Sequence, residues 1–428
     1  MIDILDKHRC CGCEACVQAC PKHCIAFEGD REGFSYPVVD KEKCIECGQC
    51  EKVCPVICRH DSTIPLKVFA AQNTDEAELL SSSSGGLFIV LAKKTLSAGG
   101  VVFGARFDDH WNVIHSYAET IEEVQAFMGS KYVQSRIGAT YIQARDFLKA
   151  GRKVLFSGTP CQVAGLKNFL RKDYDNLLTV DVICHGVPSP MVWQRYLSEL
   201  RQNARKGENS VSSSPNHSIS EGDALPTRGS VSIESISFRD KRSGWKKFSF
   251  ALTLAEASAE GKKNTVSLSH IFQEDAYMKL FLSNLILRPS CYQCPAKAGK
   301  SKSDITIADF WGIEKYHPQL DDSRGVGLMM VNSGKGMGVL SSLNIKRHEV
   351  SYDDAVESNS SYEKSVGEPE KRRRCFNMIL SQKPLSSVAT KLTGISPLLS
   401  LKYRVNTLLF KLYHALKQNA FHSIPCKP

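Results

Sequence analysis

The sequence predicts three parts: a small, cysteine-rich α+β head, an α/β body with a mixed, largely parallel sheet, and a C-terminal helical tail. Three observations predict this. Of 17 cysteines, eleven fall between Cys10 and Cys58, mostly at intervals of three. Beyond them, short apolar runs that read as strands alternate with stretches of helical periodicity. From Lys371 to Pro428 there are eleven Lys or Arg residues and no Asp or Glu. At 428 residues the chain exceeds the usual size of one domain, and the expected division is 1–60, 61–150, 151–370 and 371–428, with a Ser-rich insertion near 203–228.

A hydrophobic fraction of 42% and a charged fraction of 23% are those of a soluble globular protein. No apolar run approaches the length of a membrane span. Met1 to Arg9 scatters charges among few hydrophobes, which does not read as a signal peptide, and the expected location is cytoplasmic. Cysteines this dense in a reducing compartment hold metal rather than disulfides. The net charge is +10, but removing the eleven bases of the tail leaves 44 bases against 45 acids. The body is therefore near neutral, which argues against a nucleic-acid-binding protein.

The head carries Cys10-x2-Cys13-x2-Cys16-x3-Cys20-Pro21 and repeats it as Cys44-x2-Cys47-x2-Cys50-x3-Cys54-Pro55. This is the bacterial two-cluster ferredoxin run. Each x2 spacing lets thiolates of one tight loop reach corners of one cube, and the fourth cysteine, expected to start a helical turn, serves the other cube. One [4Fe–4S] cluster is thus expected on Cys10, Cys13, Cys16 and Cys54, and a second on Cys44, Cys47, Cys50 and Cys20. Zinc, the alternative, uses two separated Cys-x2-Cys pairs rather than eight cysteines in two such runs. Gly12 and Gly48 read as places where backbone passes close to sulfur. Ile25-Ala26-Phe27 and Val56-Ile57 read as strands or as cover for the clusters, and Cys11, Cys24 and Cys58 as small buried residues.

In the body, Lys67–Ala71 reads as a strand, and Ser81-Ser82-Ser83-Ser84-Gly85-Gly86 opens a helix that runs to Leu96. Free N–H groups at such a start suit a phosphate, although a plain serine cap looks the same. Gly100–Ala105 reads as a buried strand, followed by a loop that offers Lys131 and Tyr132. Lys153–Phe156 is a strand entering Ser157-Gly158-Thr159-Pro160-Cys161-Gln162 and a helix, the arrangement in which α/β folds place ligands. Leu178–Ile183 is another strand, ending at Cys184-His185-Gly186, and Cys291-x2-Cys294 follows a helical region. Cys161, Cys184, Cys291 and Cys294 are the only cysteines of the body, all expected in loops. Spacing alone leaves open a third cubane or four unrelated thiols. Later strands are expected at Val231–Ile233, Ile236–Phe238 and Lys247–Phe250.

On these residues the body resembles the beta-subunit family of coenzyme F420-reducing hydrogenase and formate dehydrogenase. The resemblance lies in Ser83-Ser84-Gly85-Gly86, Gly129-Ser130-Lys131-Tyr132-Val133-Gln134-Ser135 and Ser157–Gln162, then Cys184-His185-Gly186-Val187-Pro188-Ser189-Pro190, Phe238-Arg239-Asp240-Lys241, Gly244-Trp245, Cys291-x2-Cys294 and Asp309-Phe310-Trp311-Gly312. It spans about residues 65 to 330, in order. It implies FAD, a third [4Fe–4S] cluster, and an FAD- and cluster-dependent oxidoreductase moving electrons between clusters and a small two-electron organic acceptor or donor, coenzyme F420 or another. It implies a flavin pocket lined by Ser84, Gly85, Gly86, Ser130, Lys131, Tyr132, Ser157, Gly158 and Thr159. Lys131 and His185 are the candidate proton donors or electrostatic stabilisers. The expected partner is a ferredoxin or another redox protein. The alternative is an electron-transfer adaptor with no substrate of its own.

In the tail, Leu401, Val405, Leu408, Leu409, Leu412, Tyr413 and Leu416 form one side of a basic amphipathic helix. Packing on the body is the preferred reading, and contact with an anionic membrane surface the alternative.

Overall fold

The computed structural model describes residues 1–206, 231–242, 244–257 and 263–394. Most of the Ser-rich insertion and the Leu401–Leu416 pattern therefore lie outside the described residues. Among them no helix is long and apolar enough to cross a membrane.

The head holds one antiparallel hairpin, β1 (Ile25–Gly29) and β2 (Ser35–Val39). Two short helices, Ala15–Ala19 and Gln49–Lys52, carry the third cysteine of each run, Cys16 and Cys50. The fourth cysteine follows the helix and starts the next turn, as expected: Cys20 caps the first helix and its O accepts from His23 N–H at 3.2 Å, and Cys54 follows the second helix by one residue and its O accepts from Cys58 N–H at 2.8 Å. Glu14 and Gly48 open these helices with φ of 58° and 69°, so Gly48 is there for its left-handed backbone rather than for room beside sulfur. Val56-Ile57, expected to be extended, is a turn held by Ile57 N–H and Cys58 N–H donating to Cys54 O at 3.2 and 2.8 Å.

Eight strands form the body sheet: β3 (Lys67–Asn73), β4 (Val101–Phe107), β5 (Val113–Ala118), β6 (Val154–Gly158), β7 (Leu177–Val182) and, past a separate antiparallel meander, three more. The meander is β8 (Val231–Asp240), β9 (Ser249–Ala257) and β10 (Lys263–Ile271), with Ile233 and Phe238 on one continuous, bulged strand. The last strands are β11 (Ile305–Asp309), β12 (Gly327–Val331) and β13 (Ile345–Glu349). The sheet order is β13-β3-β12-β11-β7-β6-β4-β5. Its centre, β11-β7-β6-β4, is parallel, and both flanks are antiparallel. The parallel strands are mostly apolar and buried because helices cover both faces, with Thr179, Asp181 and Thr306 as buried polar exceptions. Their carboxyl ends, Ser157-Gly158 on β6, Val182 on β7 and Asp309 on β11, open on one edge, where such sheets place ligands.

The head is seated on the body by capping. Glu14 accepts from Ile137 N–H and Gly138 N–H at 3.1 and 3.0 Å, and Gln18 Oε1 from Tyr141 N–H and Ile142 N–H at 3.0 and 3.1 Å. Tyr141 N–H and Ile142 N–H are orphan donors in the first turn of the helix Thr140–Lys149, so Gln18 of the head caps a body helix while Glu14 binds the loop that leads into it. Head and body also share one core, in which Cys13, Ile25 and Val53 pack with Phe103, Tyr141 and Phe156. Close approach needs Gly165, where a Cβ would stand 3.0 Å from Cys13 Sγ.

The start of the tail is structural. Arg372 is 7% exposed and pairs with Glu32 of the head, and Phe376, Ile379, Leu385 and Val388 complete the core of the body.

Candidate redox centre

Cys10, Cys13, Cys16 and Cys54 come together as the spacing predicts. Each is buried, and each is near enough for its charge to act on another of the set: Cys16 feels Cys10 and Cys54, Cys13 feels Cys54 and Cys16, and Cys54 feels Cys10. Desolvation first, then these like charges, pushes the Cys16 thiol up. Four thiols so packed become thiolates only against a compensating positive charge, which iron supplies. Cys20, Cys44, Cys47 and Cys50 line one small cavity, and Ile2 N–H donates to Cys50 Sγ at 3.3 Å.

The cysteines outside the pattern are not alike. Cys24 lies 3.4 Å from Cys20, sulfur to sulfur, and lines the cavity of the second set. Cys11 is buried at the seam of head and body, close enough to Cys13 and Cys161 for both to act on its thiol. Cys58, expected to be buried, is exposed, because the turn carrying it faces outward.

The four body cysteines also converge, although not all from loops. Cys161 lies in the first turn of the helix Pro160–Leu170, Cys184 follows β7, Cys291 lies in the 3-10 turn Pro289–Gln293, and Cys294 closes that turn. Cys291 feels Cys184, Cys294 and Cys161. Burial pushes Cys184 up to about 12 and Cys294 up to about 11. The buried Lys297 ammonium opposes that rise at both thiols while donating to Cys184 O and Ser361 O.

Beside these thiols, at the carboxyl edge of the sheet, lies a cavity of about 690 Å3. Ser84, Gly85, Gly86, Ser130, Lys131, Tyr132, Ser157, Gly158 and Thr159 all line it, together with Cys184 and His185. The Ser/Gly loop enters the helix Leu87–Leu96 through Gly86, whose φ is 72°. A Cβ on Gly85 would stand 2.4 Å from Gly327 N and 2.5 Å from Ala71 O, so only glycine lets this loop lie on the sheet. Ser83 Oγ accepts from Ser130 N–H at 2.7 Å, tying the two loops together. Lys241 Nζ donates to Ser84 O, Leu79 O and Arg324 O at 2.8, 2.9 and 2.9 Å.

Lys131 Nζ donates to Met128 O and Gly129 O at 3.0 and 3.2 Å with no carboxylate among these partners, and burial pushes it down to about 7. His185 Nε2 lies 2.6 Å from Asn284 Oδ1, and its ring meets Phe281 edge-on. Burial lowers its pKa, so it is neutral at pH 7 with Nε2–H donating to Asn284.

Three further groups shape the cavity that the sequence analysis did not single out as site residues. Burial holds His115 neutral, pushed down to about 4. Its Nε2–H donates to Ser157 O at 3.1 Å, which leaves Nδ1 to accept from Ser135 Oγ at 3.0 Å. Gln162 Nε2 donates to Ser135 Oγ at 2.9 Å, while its Oε1 accepts from Thr159 N–H at 2.9 Å, so the chain fixes the Ser157–Thr159 loop. Arg239 and Asp309 form a two-pronged pair at 2.7 and 3.1 Å in the cavity wall. The visible signal for His115 was its register: on β5 it shares the inward face with Val113.

Comparison with known proteins adds two matches and one blank. The model of the family formed by the C-terminal part of the coenzyme F420 hydrogenase/dehydrogenase beta subunit matches residues 151–355, and that described as "4Fe-4S dicluster domain" matches residues 9–58. Among solved structures, the F420-reducing [NiFe] hydrogenase complex from Methanosarcina barkeri includes a similar chain. It is 14% identical over 70% of this chain and 91% of that one, with a TM-score of 0.39. No curated protein matches the chain.

Proposed function

We propose that this chain, whose residues 151–355 match the C-terminal part of the coenzyme F420 hydrogenase/dehydrogenase beta subunit and whose residues 9–58 match a 4Fe-4S dicluster domain, passes electrons through a third cluster to FAD and on to a small two-electron organic acceptor, or in reverse. The matched dicluster domain supports the iron–sulfur part of this reading. The observation that carries the finer reading is that Cys184 belongs both to the body thiol group and to the wall of the 690 Å3 cavity. Thiols and cavity meet there, as do one-electron and two-electron chemistry in the reading. Bound FAD would accept single electrons and pass on a pair.

In this reading Cys161, Cys184, Cys291 and Cys294 hold the third cluster, with Lys297 offsetting its negative charge. The first turn of the helix Leu87–Leu96 and the Ser130 and Ser157–Thr159 loops bind the dinucleotide. His185 orients a ligand group as a neutral ring, and Lys131 supplies an ammonium or a proton near neutral pH. Phe248, Phe281 and Trp311 on the cavity wall exclude water. The expected partner is a redox protein that meets the head.

Anaerobic purification with iron, sulfide and flavin measured on one sample tests this. About twelve irons and one FAD per chain is the expected result. About eight irons without flavin would leave a two-cluster adaptor.

Lys131 adds a pH dependence. Its charge is present below about 7 and shed above it, so an anionic ligand of the cavity binds more weakly as pH rises through that value. Titration of FAD fluorescence into flavin-depleted protein should show this step, and Lys131→Met should flatten it. An unchanged pH profile in the variant would remove Lys131 from the binding site.

A further inference from the structure

Arg288 precedes the turn that carries Cys291. Its side chain is among the largest fully buried ones, at 1% exposure. Its hydrogen bonds reach into the head: Nε donates to Cys10 O at 2.7 Å, Nη2 to Ser35 O at 2.9 Å and to Cys10 Sγ at 3.4 Å. Nη1 donates to Gln134 Oε1 at 3.0 Å, and the guanidinium carbon lies 4.4 Å from the Tyr36 ring centre. None of these partners is a carboxylate. Glu14 feels the charge, but its oxygens already accept from Ile137 N–H and Gly138 N–H.

A guanidinium does not give up its proton, and a buried charge without a counter-charge is strongly unfavourable. The position therefore calls for an anion. Besides Glu14 and the Tyr36 hydroxyl, the groups that feel Arg288 include cysteines on two sides, Cys10 and Cys11 of the head and Cys161 and Cys291 of the body. The ligand loop is shaped around it too. Gly12 has φ of 70°, and a Cβ there would lie 2.8 Å from Arg288 Nη1 and 2.5 Å from Gln134 Nε2. Gly12 thus makes room for this guanidinium, rather than for sulfur as the sequence suggested.

We propose that Arg288 is the positioning residue that couples head to body: it anchors Cys10, and its fixed charge raises the reduction potentials of the clusters on either side, most of all the one Cys10 holds. For the body cluster this rests on the proposed function; for the head cluster it rests only on the dicluster domain. Reduction adds negative charge to a cluster, so a cation and an N–H···S bond stabilise the reduced form. Arginine suits the position better than lysine, because burial would neutralise an ammonium and because the fork holds Cys10 O and Cys10 Sγ together.

The test compares wild type with Arg288→Gln and Arg288→Lys, all full-length and purified anaerobically. Iron and flavin are counted on each, and cluster potentials are read by EPR-monitored redox titration. In Arg288→Gln the iron should be retained, and the one-electron equilibrium of the Cys10 cluster should fall at least tenfold, a shift of about 59 mV. The cluster held by Cys44, Cys47, Cys50 and Cys20 should move less, and Arg288→Lys should fall between wild type and Arg288→Gln. Full iron with unmoved potentials in Arg288→Gln would overturn the proposal. Loss of the Cys10 cluster from both variants, with circular dichroism unchanged, would also overturn it, leaving a structural clamp. Eight irons in the wild type would refute the third cluster and with it the proposed function, while the shift of the Cys10 cluster still decides the role of Arg288.

Discussion

Replacing Cys184 and Cys291 together by alanine is expected to remove about a third of the iron, about four of twelve atoms per chain, while the head keeps its eight. The two residues stand on different elements, after β7 and in the Pro289–Gln293 turn, and Cys291 feels the charge of Cys184. The electrostatics of the group gives the reason for so large an effect. Burial drives each of these thiols upward, with Cys184 near 12 and Cys294 near 11, so protons leave them only when iron replaces the lost solvation. Two remaining thiols cannot hold a cube that needs four. The head retains its clusters because its ligands come from its own two loops, and flavin, if bound, should no longer be reduced by a donor that reaches only the head. Iron analysis with EPR on the anaerobic protein reads the first effect, and flavin absorbance reads the second. Full iron content in the double variant would make the four body cysteines ordinary buried thiols.

The cluster ligands were legible in the sequence because a cube fixes short spacings along one chain. Cys-x2-Cys-x2-Cys-x3-Cys is a local geometry, and both head sets came together as the spacing predicts. The body set was less legible: its consecutive members are separated by up to 107 residues (Cys184 to Cys291), and only the sheet brings them together. The cavity loops were found as strand ends and glycine turns, since the mostly apolar strands β6 and β7 stop at Gly158 and Val182. What remained hidden is what depends on tertiary packing. His115 is one polar residue on an inward strand face, and nothing local marks its bonds to Ser157 O and Ser135 Oγ. Nothing local marks Arg288, since 278 residues separate it from the Cys10 it holds. The role of Arg372 at the head of the basic tail was masked in the same way, because its partner Glu32 lies on the hairpin of the head.

Asp309→Ala should destabilise the protein by about 3 kcal/mol or more, the cost of leaving a buried guanidinium without its counter-charge. The Arg239 side chain is 3% exposed and that of Asp309 16%, so solvent does little to screen the pair. The guanidinium is also fixed sideways, 4.0 Å from the Phe248 ring centre and 5.3 Å from that of Trp311, with Nη1 donating to Tyr132 OH at 3.3 Å. It therefore cannot swing out to water when Asp309 is removed. The same pair sits in the cavity wall between β8 and the end of β11, so the loss should disorder the side that carries Tyr132 and Trp311 and weaken flavin retention as well. Arg239→Leu/Asp309→Leu should recover part of the stability, because removing both charges leaves no unpaired ion, yet it should not restore flavin if the guanidinium helps to shape the cavity. The thermal midpoint of each anaerobic variant, with flavin content measured on the same sample, separates the two roles. A cost below about 1 kcal/mol for Asp309→Ala would place the pair with solvent-screened surface bridges. Full flavin retention in the double variant would remove it from the cofactor site.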